Sequence, residues 1–228
     1  MGCDIHMMMV VYSTKDDSYS PVTTTAFVDG QHYQLEMPSY FRNYEIFGLL
    51  CDGVRGGGYE GVNLQPRGRF PLNKLSPWAQ GVYDRRAEIL KPDEEKEHDG
   101  FVDFYSPNPE IQVALFLRDY YDEESWMHSH TYLSADDFEK LILRIEKQIA
   151  EEKKNIKKAK SMTAKSVNKE TIEEFVEEVN ARNETIDSLK LARRFIKNLY
   201  RIYDEMFESL QMTSRSVDDW KVLVCFDN

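Results

Sequence analysis

Cysteine is scarce in this 228-residue chain, and the three present, Cys3, Cys51 and Cys225, are an odd number, far apart and without CxxC spacing. That excludes a disulfide framework and a four-cysteine zinc site, and it points to a reducing cytoplasm. Long apolar runs are missing as well. No stretch approaches the roughly 18 consecutive apolar residues of a membrane helix, and the N-terminus carries neither the basic flank nor the long apolar core of a signal peptide. Positive charge is in deficit: 29 Lys and Arg stand against 40 Asp and Glu, a formal net charge of −11. Broad wrapping of DNA or RNA is thereby disfavoured, because such binding rests on cations displacing counterions from phosphates. A local basic pocket for one small phosphate compound is still compatible with that balance. Several catalytic signatures are absent too: no GxxxxGK[ST] loop, no GxGxxG following a strand, no GxSxG elbow and no HExxH. Met1-Gly2-Cys3 opens like an acylated N-terminus, but His6 stands where myristoylation requires Ser or Thr.

What is present suffices for a core. Hydrophobic residues make up 41% and aromatics 12% of the chain, so wholesale disorder is excluded, and the length suits one domain with a large insertion. Met7 to Tyr12, with Val10 and Val11, suits a buried central strand, and Gln31 to Met37 alternates with period two as a half-exposed strand. Phe41 to Cys51 has helical spacing and stops at Asp52-Gly53. Residues 53–77, rich in Gly and Pro, form a long loop, and loops of that length are usually functional or mobile. Trp78 to Leu90 and Pro109 to Tyr121 are helical, the latter with Pro109 in its first turn. Trp126 to Leu133 is a strand.

From Ser134 the pattern changes. Ser134 with Asp137 resembles a capping box, and Phe138, Leu141, Ile142, Ile145 and Ile149 follow at helical spacing. A Lys-rich break from Lys153 to Lys169 precedes a second periodic run from Ile172 to Leu210. Two helices joined by a polar turn form an antiparallel hairpin. Trp220 to Phe226 is apolar on both faces, as in a doubly buried strand, and returns the chain to the main sheet. The expected fold is therefore α+β: a mixed or antiparallel sheet with short covering helices, residues 1–133 plus 214–228, and an inserted long helical hairpin, residues 134–213. The hairpin's unmatched apolar stripe offers a surface for a second copy.

Chemistry concentrates in two groups. Strand alternation puts Asp4 and His6 on one side of the first strand, and His128 and His130 on one side of the strand before Ser134. If the two strands are neighbours, imidazoles and a carboxylate converge as in zinc, manganese or iron sites, where a metal with an open position activates water or polarises a phosphoryl oxygen. The plainer alternative is that each His is a hydrogen-bonded strand residue. The second group is cationic. Arg42, Arg55, Arg67 and Arg69 flank the glycine-rich loop, suited either to gripping phosphate or to pairing with this acidic chain's own carboxylates. Cys51 and Cys225 sit in apolar surroundings as buried small hydrophobes.

The opening MGCDIH, the segment Arg42-Asn43-Tyr44-Glu45-Ile46-Phe47 followed by Val54-Arg55, the turn Pro66-Arg67-Gly68, the segment His128-Ser129-His130 and the closing Phe226-Asp227-Asn228 resemble a family of uncharacterised phage and prophage proteins. Members typically begin MGCDIH and carry RNYDLF, VR, KPRGLP, HSHSWL and FDN in this order. The chain departs from that pattern at Glu45, at Arg69-Phe70 and at Thr131-Tyr132, and its helical region from Ser134 to Thr213 is longer than the family pattern. The resemblance implies a phage context and singles out Asp4, His6, His128 and His130, with Arg42, Asn43, Arg55 and Arg67 as their neighbours. Such polar residues serve a core poorly, since each one buried without a partner costs about 1–3 kcal/mol.

Together these features suggest a metal-dependent hydrolase of a phosphate ester or nucleotide in the host cell's cytoplasm. Asp4, His6, His128 and His130 would hold zinc, manganese or iron, Arg42, Asn43, Arg55 and Arg67 would bind substrate, and His130 and Asp227 would handle protons or support the ligands. The alternative is a non-catalytic counter-defence or host-takeover binder that sequesters a nucleotide signal or blocks a host protein. A structural role in the virion is a third reading.

Overall fold

In the computed structural model, residues 5–23, 25–28, 31–34, 44–52, 54, 58–91, 108–123, 127–163, 169–214 and 216–226 are described. Strand β1 (Ile5–Ser13) turns through Asp17, whose φ is +48°, into β2 (Ser18–Pro21). The turn is tied by Tyr12, whose hydroxyl donates to Asp17 Oδ1 at 2.6 Å. A separate antiparallel pair follows, β3 (Thr25–Val28) with β4 (Gln31–Gln34). The expected strand from Gln31 is thus present to Gln34, and its remainder lies outside the described residues. Beyond helix α1 (Tyr44–Leu50) and a loop come α2 (Pro77–Asp84), α3 (Arg86–Ile89) and α4 (Pro109–Tyr121). Strand β5 (His128–Ser134) leads into α5 (Ala135–Thr163), α6 (Lys169–Thr213) and finally β6 (Val217–Phe226).

The main sheet is fully antiparallel, in the order β2-β1-β6-β5, and the fold is α+β as the sequence indicates. Period-two alternation separates its two faces. Met9 and Val11 of β1, with Trp220, Val222, Val224 and Phe226 of β6, join Phe47 and Leu50 of α1 and the base of the α5/α6 hairpin in one core. Met8, Val10, Leu223 and Cys225 point the other way, into a core closed by Ala79 and Val82 of α2 and Val113, Phe116, Leu117 and Tyr120 of α4. Doubly buried β6 is the centre of this three-layer arrangement. On the hairpin face Phe138 packs among Tyr200, Tyr203 and Trp220, with ring centroids about 6 Å apart. The fully buried Tyr203 hydroxyl donates to Met7 Sδ at 3.5 Å.

Local chemistry fixes the helix ends. Asn108 caps α4 by accepting the Glu110 N–H, with Pro109 in the first turn, and Ser76 caps α2 by accepting from Ala79. The Lys-rich segment expected to break the hairpin continues α5 to Thr163 instead. Lysine is a good helix former, and Ile149, Glu152, Ile156 and Ala159 extend the buried stripe through it at spacings of three and four. Among the described residues, no helix is long and apolar enough to cross a membrane.

Candidate functional site at one end of the sheet

The start of β5 is irregular. His128 is registered with Phe226 and Thr131 with Val224, so Ser129 and His130 together stand opposite the single residue Cys225. Ser129 adopts a left-handed φ of +52°, as the extra residue of a bulge does. Its carbonyl accepts the Cys51 thiol at 3.4 Å, and its hydroxyl lies 2.8 Å from His128 Nδ1. The bulge resets the alternation. His128 stacks on Phe226, 6.4 Å between centroids, on the hairpin face, whereas His130 meets Tyr120 edge-on at 5.4 Å on the α4 face. The expectation that His128 and His130 share one side is therefore corrected, and the extra residue at Ser129 is the reason.

The two His-bearing strands are not neighbours either, since β6 lies between them. His6 is registered with Cys225, on the side of β1 that Met8 and Val10 share. His6, Cys225 and His130 thus form a row across three strands beneath the last turn of α4. That turn supplies Asp119, a carboxylate only 6% exposed. Burial pushes its pKa up, opposed by Arg118, which bonds it at 2.7–2.8 Å, and by the nearby His6.

His130 is the most constrained member of the row. Burial, then the charge of Arg69, lower its pKa from 6.5, opposed by the adjacent backbone of Asp119. Its Nε2 is buried and has no hydrogen-bond partner among the described residues. Tyr120, packed edge-on against His130, donates its hydroxyl to the Thr131 carbonyl and accepts from Phe70 N–H, both at 2.9 Å. Burial raises the Tyr120 pKa, so the hydroxyl stays protonated.

The cationic group is only partly described. Arg67 is engaged within the protein: its guanidinium pairs with Asp137 and lies 5.3 Å from the Tyr132 ring centre, and its N–H donates to Thr131 Oγ1. Of the two roles open to it, pairing with an internal carboxylate is the one the structure shows. Arg69 donates to the Asp122 carbonyl at 3.3 Å while remaining exposed. Asp4, Arg42, Asn43, Arg55 and Asp227 lie outside the described residues. Among the described residues no three His, Cys, Asp or Glu side chains group closely enough to hold a metal ion. The described part of the expected ligand set on the α4 face is His6 with His130. Asp119 is the member that sequence reading missed; its signal is an acid directly after the apolar run from Val113 to Leu117 and Arg118. No protein-family model matches the chain, and neither a curated protein nor a solved structure does.

Proposed function

We propose that the protein hydrolyses a phosphate ester or nucleotide at the sheet end where β1 begins and β6 finishes. His130 carries this reading. A neutral imidazole with a buried, unpartnered Nε2, whose Nδ1–H would be held by the adjacent Asp119 backbone, is what a general base requires, and equally what a divalent metal requires of a ligand. His6 and Asp119 add a second titratable pair on the same face, and Arg69, whose charge already reaches His130, supplies positive potential for a phosphate. In the metal-dependent form, zinc, manganese or iron would be held by His6 and His130 with Asp4 as the carboxylate donor, and His128 has no part in it. Arg42, Asn43, Arg55 and Asp227 belong to the substrate side of this proposal, and the phage resemblance sets it in a host cytoplasm.

The test is turnover of a panel of phosphate esters and nucleotides by chelator-treated protein, alone and reloaded with each of the three metals. His130→Gln should lower turnover by about two orders of magnitude or more while the thermal midpoint stays near that of the parent. Arg67→Ala should leave turnover within a few-fold. Full turnover in His130→Gln would overturn the assignment. Tight nucleotide binding without turnover would replace hydrolysis with sequestration.

A further inference from the structure

The distal third of the helical hairpin sorts its charges by helix. From Lys153 to Thr163, α5 carries five exposed lysines, Lys153, Lys154, Lys157, Lys158 and Lys160, and no acid. Alongside, from Glu173 to Glu184, α6 exposes Glu173, Glu174, Glu177, Glu178 and Glu184 and has Arg182 as its single base. The two segments lie side by side because Glu152 of α5 accepts from Arg182 of α6 at 2.7 Å. Nearer the sheet, opposite charges are used within the hairpin, with Glu146 taking both Arg193 and Lys197. Toward the tip Glu152 with Arg182 is still a pair between the helices, but among the described residues none of the five lysines beyond it makes an ion pair, and Glu178 is turned to Arg182 on its own helix.

The apolar stripe is also incompletely covered there. Met162 is 46% and Val176 49% exposed, and Ile172, Phe175 and Val179 are only half-buried. Closer to the sheet the stripe itself, Ile186, Leu189, Ala192, Ile196, Leu199 and Tyr203, is closed over, while Leu191 beside it is exposed. Two helices alone cannot surround such a stripe, whereas four can.

We propose that the tip pairs with the tip of a second copy of this chain, the lysine strip of each α5 lying on the glutamate strip of the other copy's α6. A two-fold axis between antiparallel hairpins produces this arrangement twice, because an isologous contact sets α5 on α6 and α6 on α5 at once. The overall charge of −11 repels copies from one another at every other approach, so attraction has to be local. A nucleic acid or an anionic membrane would be drawn to the lysine strip but repelled by the glutamates one helix away. Self-pairing satisfies both strips. The distal α5 segment spans only about 16 Å at 1.5 Å per residue, so the contact is short and the dimer reversible, with a dissociation constant on the order of micromolar. Chemistry at the sheet end is not involved.

Sedimentation of the full chain tests the pairing. The parent should show concentration-dependent dimers whose dissociation constant rises roughly tenfold or more between about 50 mM and about 500 mM NaCl. The combined change Lys154→Glu, Lys157→Glu, Lys158→Glu should be monomeric, and so should Glu173→Lys, Glu174→Lys, Glu177→Lys. An equimolar mixture of the two should dimerise again, since acidic α5 then meets basic α6 in one contact and the parent's lysine strip meets the parent's glutamate strip in the other. Far-UV circular dichroism verifies that the helices persist, and the salt series on the parent stands whether or not either variant folds. A parent that stays monomeric at roughly 200 micromolar and low salt would overturn the proposal, being far above the expected dissociation constant. So would a dimer indifferent to salt and to both variants, a mixture that stays monomeric, or a parent that remains monomeric while binding duplex DNA or anionic vesicles through the same lysines.

Discussion

Removing the Asp137 carboxylate should cost more stability than any other single polar truncation in the β5–α5 corner. Asp137 is the third residue of α5 and only 4% exposed. Its Oδ2 accepts the Ser134 N–H at 2.9 Å and the Ser134 hydroxyl at 2.7 Å, the back-reaching half of a capping box, while its Oδ1 accepts Arg67. Losing the cap interaction is worth about 1 kcal/mol. The Arg67 pair adds no more than about 1 kcal/mol, because the guanidinium side is 40% exposed and screened. The orphaned Ser134 N–H adds about 1 kcal/mol more, at the low end because Ser134 is not fully buried. Asp137→Ala should therefore lose about 2–3 kcal/mol in urea unfolding at unchanged m-value. Asp137→Asn, which keeps acceptors for Ser134, should recover roughly half of that. In a double-mutant cycle Arg67 and Asp137 should couple by at most about 1 kcal/mol. A loss below about 1 kcal/mol for Asp137→Ala, or no coupling to Arg67, would show that this corner is not held as described.

His130 should tilt the pH dependence of stability. Its folded pKa lies below 6.5, so its neutral form contributes stability that is present above pH 6.5 and is lost as pH falls through the folded pKa; His130→Gln should flatten that part of the curve, and an unchanged slope would contradict it. Gly58→Ala should destabilise by more than about 2 kcal/mol, because φ is +86° and a Cβ would sit 2.3 Å from Asn63 Oδ1 and 2.8 Å from the Gly48 backbone. Gly68→Ala, also at positive φ but facing open space, should cost only about 1 kcal/mol, and equal losses at the two glycines would refute the packing part of the argument. Phe138→Ala, emptying the ring cluster at the base of the hairpin, should lose about 3–5 kcal/mol in chemical denaturation, and a loss under about 2 kcal/mol would show that the cluster is loosely packed.

Elements with local signatures were legible in the sequence. Pro109 with Asn108 before it marks the start of α4, Ser134 with Asp137 marks α5, and the unbroken apolar run from Val222 to Phe226 announces a strand buried on both faces. Features decided at long range were not. Nothing in His128-Ser129-His130 signals that Ser129 takes a left-handed conformation, so simple alternation set His128 on the wrong face. The position of β6 between β1 and β5 depends on pairing across more than two hundred residues of chain, which no window of sequence contains. The lysines after Lys153 resembled a linker because charge was read without the Ile156 and Ala159 stripe running beneath it. Asp119 was hidden for a related reason: an acid beside Arg118 in the last turn of α4 becomes significant only once His6 and His130 are seen to lie under the same turn.

Long-range proton–nitrogen NMR of the imidazole rings, recorded at neutral pH during titration with each divalent metal and then with phosphate esters and nucleotides, bears most directly on the sheet-end centre. His130 should be neutral with its proton on Nδ1, and its Nε2 resonance should shift on addition of a metal or phosphorylated ligand, with His6 responding alongside and His128 much less. A proton on Nε2, or a His130 ring unmoved while a ligand binds elsewhere on the chain, would contradict the account.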